Sequence, residues 1–137
     1  MIPIQGLDHI VLRVSNLDAM LRFYCDTLGC TIEKQRDDLG LIQLRAGNAL
    51  IDLVPVQGKL GQKGGAAPGA EGRNLDHFCL WVDPFDDRQI HSLLAAAGIA
   101  AAPTETRYGA RGNGPSIYLQ DPDGNTVELK GPAPAGT

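Results

Sequence analysis

One short stretch of this chain occurs twice. "LDHIVLRV" at Leu7 to Val14 returns as "LDHFCLWV" at Leu75 to Val82, so that His9 and His77 hold the same place in two alternating runs. Each copy continues into a helical stretch ending in glycine. Each then closes on a strand with one acid, Asp52 in "NALIDLV" and Glu128 in "NTVELK". The two histidines lie 68 residues apart, too long a period for a solenoid repeat and suited to a fused pair of small α+β modules. Two imidazoles and two carboxylates at equivalent points of a duplicated unit read as a divalent-metal site.

The periodicities predict the same βαβββ order in both copies. In the first, a strand at 7–14 precedes a helix of about ten residues, opened by Asn16 or Asp18. Leu17, Leu21, Tyr24 and Leu28 recur at helical spacing, and Gly29 stands where a helix would stop. Strands at 31–36, 41–46 and 49–54 complete the unit. The second copy predicts a strand at 75–82 and a helix over 86–97 with Ile90, Leu93, Leu94 and Ala97 on one face and Gly98 as its stop. Strands near 99–102, 115–120 and 125–130 follow. The extra length of this copy falls in Pro103 to Gly114, and the glycine-rich "RYGARGNGPS" at 107–116 reads as a mobile lid with Arg107 or Arg111 available to an anionic substrate; phosphate-loop logic does not apply, because a strand and not a helix follows it. The domain so outlined is a module over 1–54, a linker over 55–74 with six glycines and two prolines, a module over 75–132, and a frayed tail over 133–137.

Strand alternation sorts the residues onto faces. Ile10, Leu12 and Val14 oppose His9, Val11 and Arg13; Phe78, Leu80 and Val82 oppose His77, Cys79 and Trp81. Ile42 and Leu44 oppose Gln43 and Arg45; Ile51 and Leu53 oppose Asp52. Ile117 and Leu119 oppose Ser116, Tyr118 and Gln120; Val127 and Leu129 oppose Thr126, Glu128 and Lys130. One face suits packing against helices. The other is too polar for a core and too selective in its chemistry for an ordinary wet surface. Curled mixed sheets with these faces inward would form a ligand cup with a metal at its floor.

Composition excludes several classes. A net charge of -4 with no run of lysine or arginine leaves no footprint for nucleic acid or anionic lipid. Cys25, Cys30 and Cys79 are odd in number and lack metal-type spacing, and no secretory leader or membrane span is evident, so a reducing cytoplasm is expected.

The duplicated pattern, "LDHIVLRVSNLDAMLRFYCDTLGC" at 7–30 and "IYLQDPDGNTVELKGP" at 117–132 resemble the vicinal oxygen chelate superfamily over nearly the whole chain. That superfamily holds glyoxalase I, extradiol dioxygenases, methylmalonyl-CoA epimerase and the fosfomycin- and bleomycin-resistance proteins. The resemblance implies the glyoxalase/dioxygenase-like fold, a homodimer, a small-molecule substrate and one divalent ion per site (Ni, Co, Mn, Fe or Zn). His9, His77 and Glu128 fall where its metalloenzymes place ligands. Asp52 falls where glyoxalase I has a glutamate and the dioxygenases have no ligand. Asp52 and Glu128 are also candidate proton shuttles.

Around that set, Arg13 stands four after His9, where glyoxalase I uses an arginine to hold the glutathione carboxylate, although Val56 stands where that enzyme keeps an asparagine. Tyr118 matches a catalytic tyrosine of the dioxygenases. Gln43, Arg45, Trp81, Arg111 and Ser116 are candidate substrate contacts, whereas Cys79 reads as cavity wall and His91 as an exposed helix residue. The reading favoured on these residues is a metal-dependent lyase or isomerase of glyoxalase type. An Fe(II) extradiol dioxygenase is the alternative, and a metal-free binding protein of the bleomycin-resistance kind is the third.

Overall fold

The computed structural model describes residues 1–136, and Thr137, the last residue of the expected tail, lies outside the described residues. The chain divides into two compact units, Met1–Asn74 and Leu75–Thr137. Each carries one four-stranded mixed sheet, and the two are built by the same rule.

In the first unit β1 (His9–Val14) leads into α1 (Leu17–Leu21), followed by β2 (Thr31–Arg36), β3 (Leu41–Ala46) and β4 (Ala49–Pro55). The sheet order is β1-β4-β3-β2, with β1 parallel to β4 and the other pairs antiparallel. Leu12, Val14, Leu44, Ile51 and Leu53 are buried with Met20 and Tyr24 from the helical segment, so the aliphatic face predicted from alternation is the core. Asn16 opens α1 by accepting the Ala19 N–H at 3.1 Å. The single ten-residue helix expected here is instead five residues of α-helix running into a π turn at Arg22–Thr27. The wider turn rotates less per residue, which lets the consecutive Phe23 and Tyr24 both face inward, edge to face at 4.8 Å. Gly29 ends the segment in the left-handed region, as expected.

The second unit repeats the order with β5 (Phe78–Trp81), α2 (Asp87–Ala96), β6 (Glu105–Gly109), β7 (Gly112–Gln120) and β8 (Thr126–Lys130), arranged β5-β8-β7-β6. Asp86 caps α2 through the Gln89 N–H at 3.1 Å, and Leu94, Ile117, Leu119, Val127 and Leu129 form the core. Two expectations fail here. No strand spans 99–102, where Ala101 makes only an isolated bridge to Leu119. The segment read as a mobile lid is a regular hairpin of β6 and β7, closed between Gly109 and Gly112. Its glycines serve close approach: a Cβ on Gly114 would lie 2.0 Å from the Gly131 carbonyl oxygen.

The linker is also more ordered than its composition suggests. It belongs to the first unit and is pinned to β1 by Arg13, whose guanidinium donates to the carbonyls of Gly61 (3.0 and 2.8 Å), Gly65 (2.7 Å) and Ala66 (2.9 Å). Asn74 completes the clamp, accepting the Arg13 backbone N–H and donating to its carbonyl. Gly61 is required by that packing, since a Cβ there would sit 1.9 Å from the Pro55 oxygen. Among the described residues no helix is long and apolar enough to cross a membrane.

Candidate functional site

Register places the histidine and the acid of each unit in the same relation. His9 faces Leu50 and Asp52 faces Val11, so imidazole and carboxylate sit diagonally across the parallel pair β1·β4. In the second unit Glu128 faces Cys79, two residues after His77, which repeats the diagonal across β5·β8. His77 stands just before β5, not within it.

The residue before each histidine orients it. His9 Nδ1 lies 2.7 Å from Asp8 Oδ1, and His77 Nδ1 lies 2.6 Å from Asp76 Oδ2. A carboxylate accepts only, so Nδ1 carries the proton in the neutral ring and Nε2 presents its lone pair. The Asp8 contact, followed by the charge of Asp52, raises the His9 pKa above the ordinary histidine value. Both aspartates lie inside the repeated "LDH", and their repetition was the signal for this role that alternation arguments passed over.

In the second unit the pair is closed. His77 Nε2 stands 3.3 Å from Glu128 Oε1, and the other oxygen of this buried carboxylate accepts from Ser116 Oγ at 2.7 Å. Two donors bound to one metal at ordinary bond lengths of ~2.1 Å and angles near 90–110° stand about 2.9–3.4 Å apart, so this pair has a ligand pair's spacing. Ser116, expected as a substrate contact, is spent on Glu128 and on Arg107 Nη1 at 3.1 Å. Tyr118 packs edge-on to His77 at 5.4 Å, with the Arg107 guanidinium 4.4 Å above its ring. Burial and then the Glu128 charge raise the Tyr118 pKa. The same two causes, in the same order, push the Cys79 thiol up to about 11.

In the first unit the pair is open. Asp52 is buried and accepts from Gln43 Nε2 at 3.3 and 3.2 Å, and it is in no ion pair with His9 among the described residues. Gln43 thus supports Asp52, Arg45 pairs with Glu33 at 2.8 Å, and Arg13 is committed to the linker. All three have partners within the protein. Among the described residues no three His, Cys, Asp or Glu side chains group closely enough to hold a metal ion. His91, expected to be exposed, is partly covered and meets Thr104 Oγ1 at 2.9 Å.

Trp81 and Arg111 remain as candidate contacts. Arg111 lies 4.5 Å over the Trp81 ring from the β6–β7 turn, and Lys130 lies 5.5 Å from the same ring.

The duplicated βαβββ unit is the plan of a known fold class, and residues 6–129 match the Glyoxalase/Bleomycin resistance protein/Dioxygenase superfamily. The chain belongs to that superfamily. It is 30% identical over 131 residues to the "Virulence protein STM3117" of Salmonella typhimurium, covering 92% of this chain and 83% of that one. The crystal structure of that protein superposes with a TM-score of 0.72 over 96% of this chain and 98% of the other. The metapyrocatechase of Geobacillus stearothermophilus is 27% identical over 136 residues, 96% of this chain, which spans 38% of that enzyme. A lactoylglutathione lyase from Agrobacterium tumefaciens shares the fold, with a TM-score of 0.68 at 20% identity over 98% of this chain and 99% of the other.

Proposed function

We propose that this protein is a metal-dependent lyase or isomerase of glyoxalase type acting on a small substrate that binds through adjacent oxygens, with His77 and Glu128 as ligands of a divalent ion and His9 and Asp52 as the matching candidates of the first unit. The observation that carries the reading is the closed His77–Glu128 pair, with Asp76 behind the imidazole and Ser116 behind the carboxylate. When bound, the ion would polarise a substrate oxygen and acidify the neighbouring C–H.

The rest of the chemistry belongs to the chain. Asp76 and Asp8 hold the imidazoles in the tautomer that keeps Nε2 available. Ser116 fixes one oxygen of Glu128 and leaves the other to face the substrate, where it takes and returns a proton. Asp52 is the second candidate base, held by Gln43. Arg107 lies over the Tyr118 ring and holds it against the imidazole of His77.

A second reading, ring-cleaving oxygenation of catechols, is favoured by one observation: Tyr118 lies against His77 beside Glu128, where a phenol could steer a bound catecholate. Metal analysis of tag-free protein, followed by assays with methylglyoxal hemithioacetal and with catechol, separates the readings. Turnover of the first supports the lyase, and turnover of the second alone replaces it with the oxygenase. A protein that takes up no Ni, Co, Mn, Fe or Zn would leave the metal-free binding role. We also infer a homodimer, supported by the exposed Ile2, Ile4, Leu7 and Val11 of the first unit; a monomer by light scattering at micromolar concentration would overturn it.

A further inference from the structure

The second unit holds two cations that nothing in the reaction scheme uses. Lys130 is 3% exposed, yet among the described residues its ammonium joins no ion pair and has one acceptor, the Gly112 carbonyl at 2.7 Å, plus the face of Trp81. Arg111 comes to the same ring from the hairpin turn and also has no carboxylate partner among the described residues. An ammonium withdrawn from water normally finds an anion, because a single carbonyl and a ring face replace only part of its hydration. The buried Lys130 and the exposed Arg111, both set against one indole, form an anion site with a flat apolar wall.

Its position ties it to the site already described, and on that reading it names the substrate class. Trp81 faces Lys130 and Cys79 faces Glu128 in the β5·β8 register, so these four side chains share one face. Glu128 and Lys130 are two residues apart on one strand, which separates them by about 6.5–7 Å. We infer that Lys130 and Arg111 bind an anionic group of the substrate, which therefore carries a carboxylate or similar anion besides the oxygens at the His77–Glu128 pair, the two ends lying about one two-residue strand repeat apart. A dicarboxylate or an oxo acid with a second carboxylate meets that requirement. Trp81, 37% exposed, lies beside both cations.

The chain has a single tryptophan, so the site carries its own reporter. The test titrates the chelator-treated full chain with succinate at constant ionic strength and follows Trp81 emission, with succinamide as the uncharged control. Succinate should give a saturable change that succinamide does not, with affinity weakened about tenfold or more in Arg111→Gln and in Lys130→Met, as expected for losing a charge-assisted contact. Arg111 is exposed at a turn, so its variant keeps the fold even if Lys130→Met does not. A response equal for succinate and succinamide, or undiminished in Arg111→Gln, would overturn the proposal. Because metal is absent from this titration, its failure leaves the lyase reading standing. Conversely, undiminished metal uptake in His77→Ala with succinate binding intact would count against the lyase alone.

Discussion

The two units share a backbone plan and differ in what each does with the same positions. Glu128 reaches His77, whereas Asp52, one methylene shorter at the equivalent register, stops short of His9 and takes Gln43 instead. Four residues after the histidine the first unit has Arg13, spent on pinning the linker, and the second has Trp81, flanked by two cations. Two after the acid stand Val54 and Lys130. Duplication thus sets where a side chain starts, and its length and chemistry decide what it meets. The first unit has turned its polar face largely to structure; the second keeps unspent charge.

The largest test of that contrast is a matched pair of isosteric changes. Glu128→Gln should lower turnover on the order of a hundredfold or more, as for loss of a positioned base. Asp52→Asn should cost about tenfold or less, since Asp52 is held off from its histidine. Equal losses would make the units functionally symmetric, and a silent Asp52→Asn with a crippled Tyr118→Phe would favour the oxygenase.

Next come the aspartates behind the imidazoles. Asp76→Asn should weaken metal uptake by about 10–100-fold, measured by competition with a chromogenic chelator. For Asp8→Asn the readout is also the His9 titration by NMR. Asp8 and Asp52 raise that pKa, so their contacts favour the protonated ring: the stabilisation is full below the ordinary value of 6.5 and fades as pH rises through the folded value. The midpoint should fall toward 6.5 in the variant, and a fixed midpoint would remove Asp8 as its cause.

Arg13→Gln should loosen only the first unit. Cleavage within 57–72 under limited proteolysis should rise about tenfold while succinate titration of Trp81 stays unchanged, because several charge-assisted contacts to carbonyls are lost there. A linker as resistant as before would mean that Gly61 packing and Asn74 suffice.

The smallest effect should be symmetric. Asn16→Ala and Asp86→Ala each remove a side-chain cap and should each cost about 1 kcal/mol in denaturant unfolding. A much smaller cost for Asn16→Ala would show that the short α1 is held by the π turn and the buried Phe23 and Tyr24.

The sequence by itself determined the repeat, the strand faces, the three strands after α1 and the glycine stops of both helical segments. These follow from local periodicity and backbone conformation, and each is decided within a few neighbouring residues. It also marked His9, His77, Asp52 and Glu128, because duplication turns isolated polar residues into matched pairs. Only tertiary structure decided which of them meet and which substrate candidates were already taken. Arg13 is drawn to carbonyls about fifty residues away, Arg45 to Glu33 across β2·β3, and Ser116 to Glu128 across β7·β8. The lid misread as mobile shows the same limit from the other side: glycine reads as freedom along the chain, but at Gly114 it is the lack of a Cβ that admits another backbone. Pairings of this kind depend on register between distant strands and on a methylene of reach, which no local pattern records.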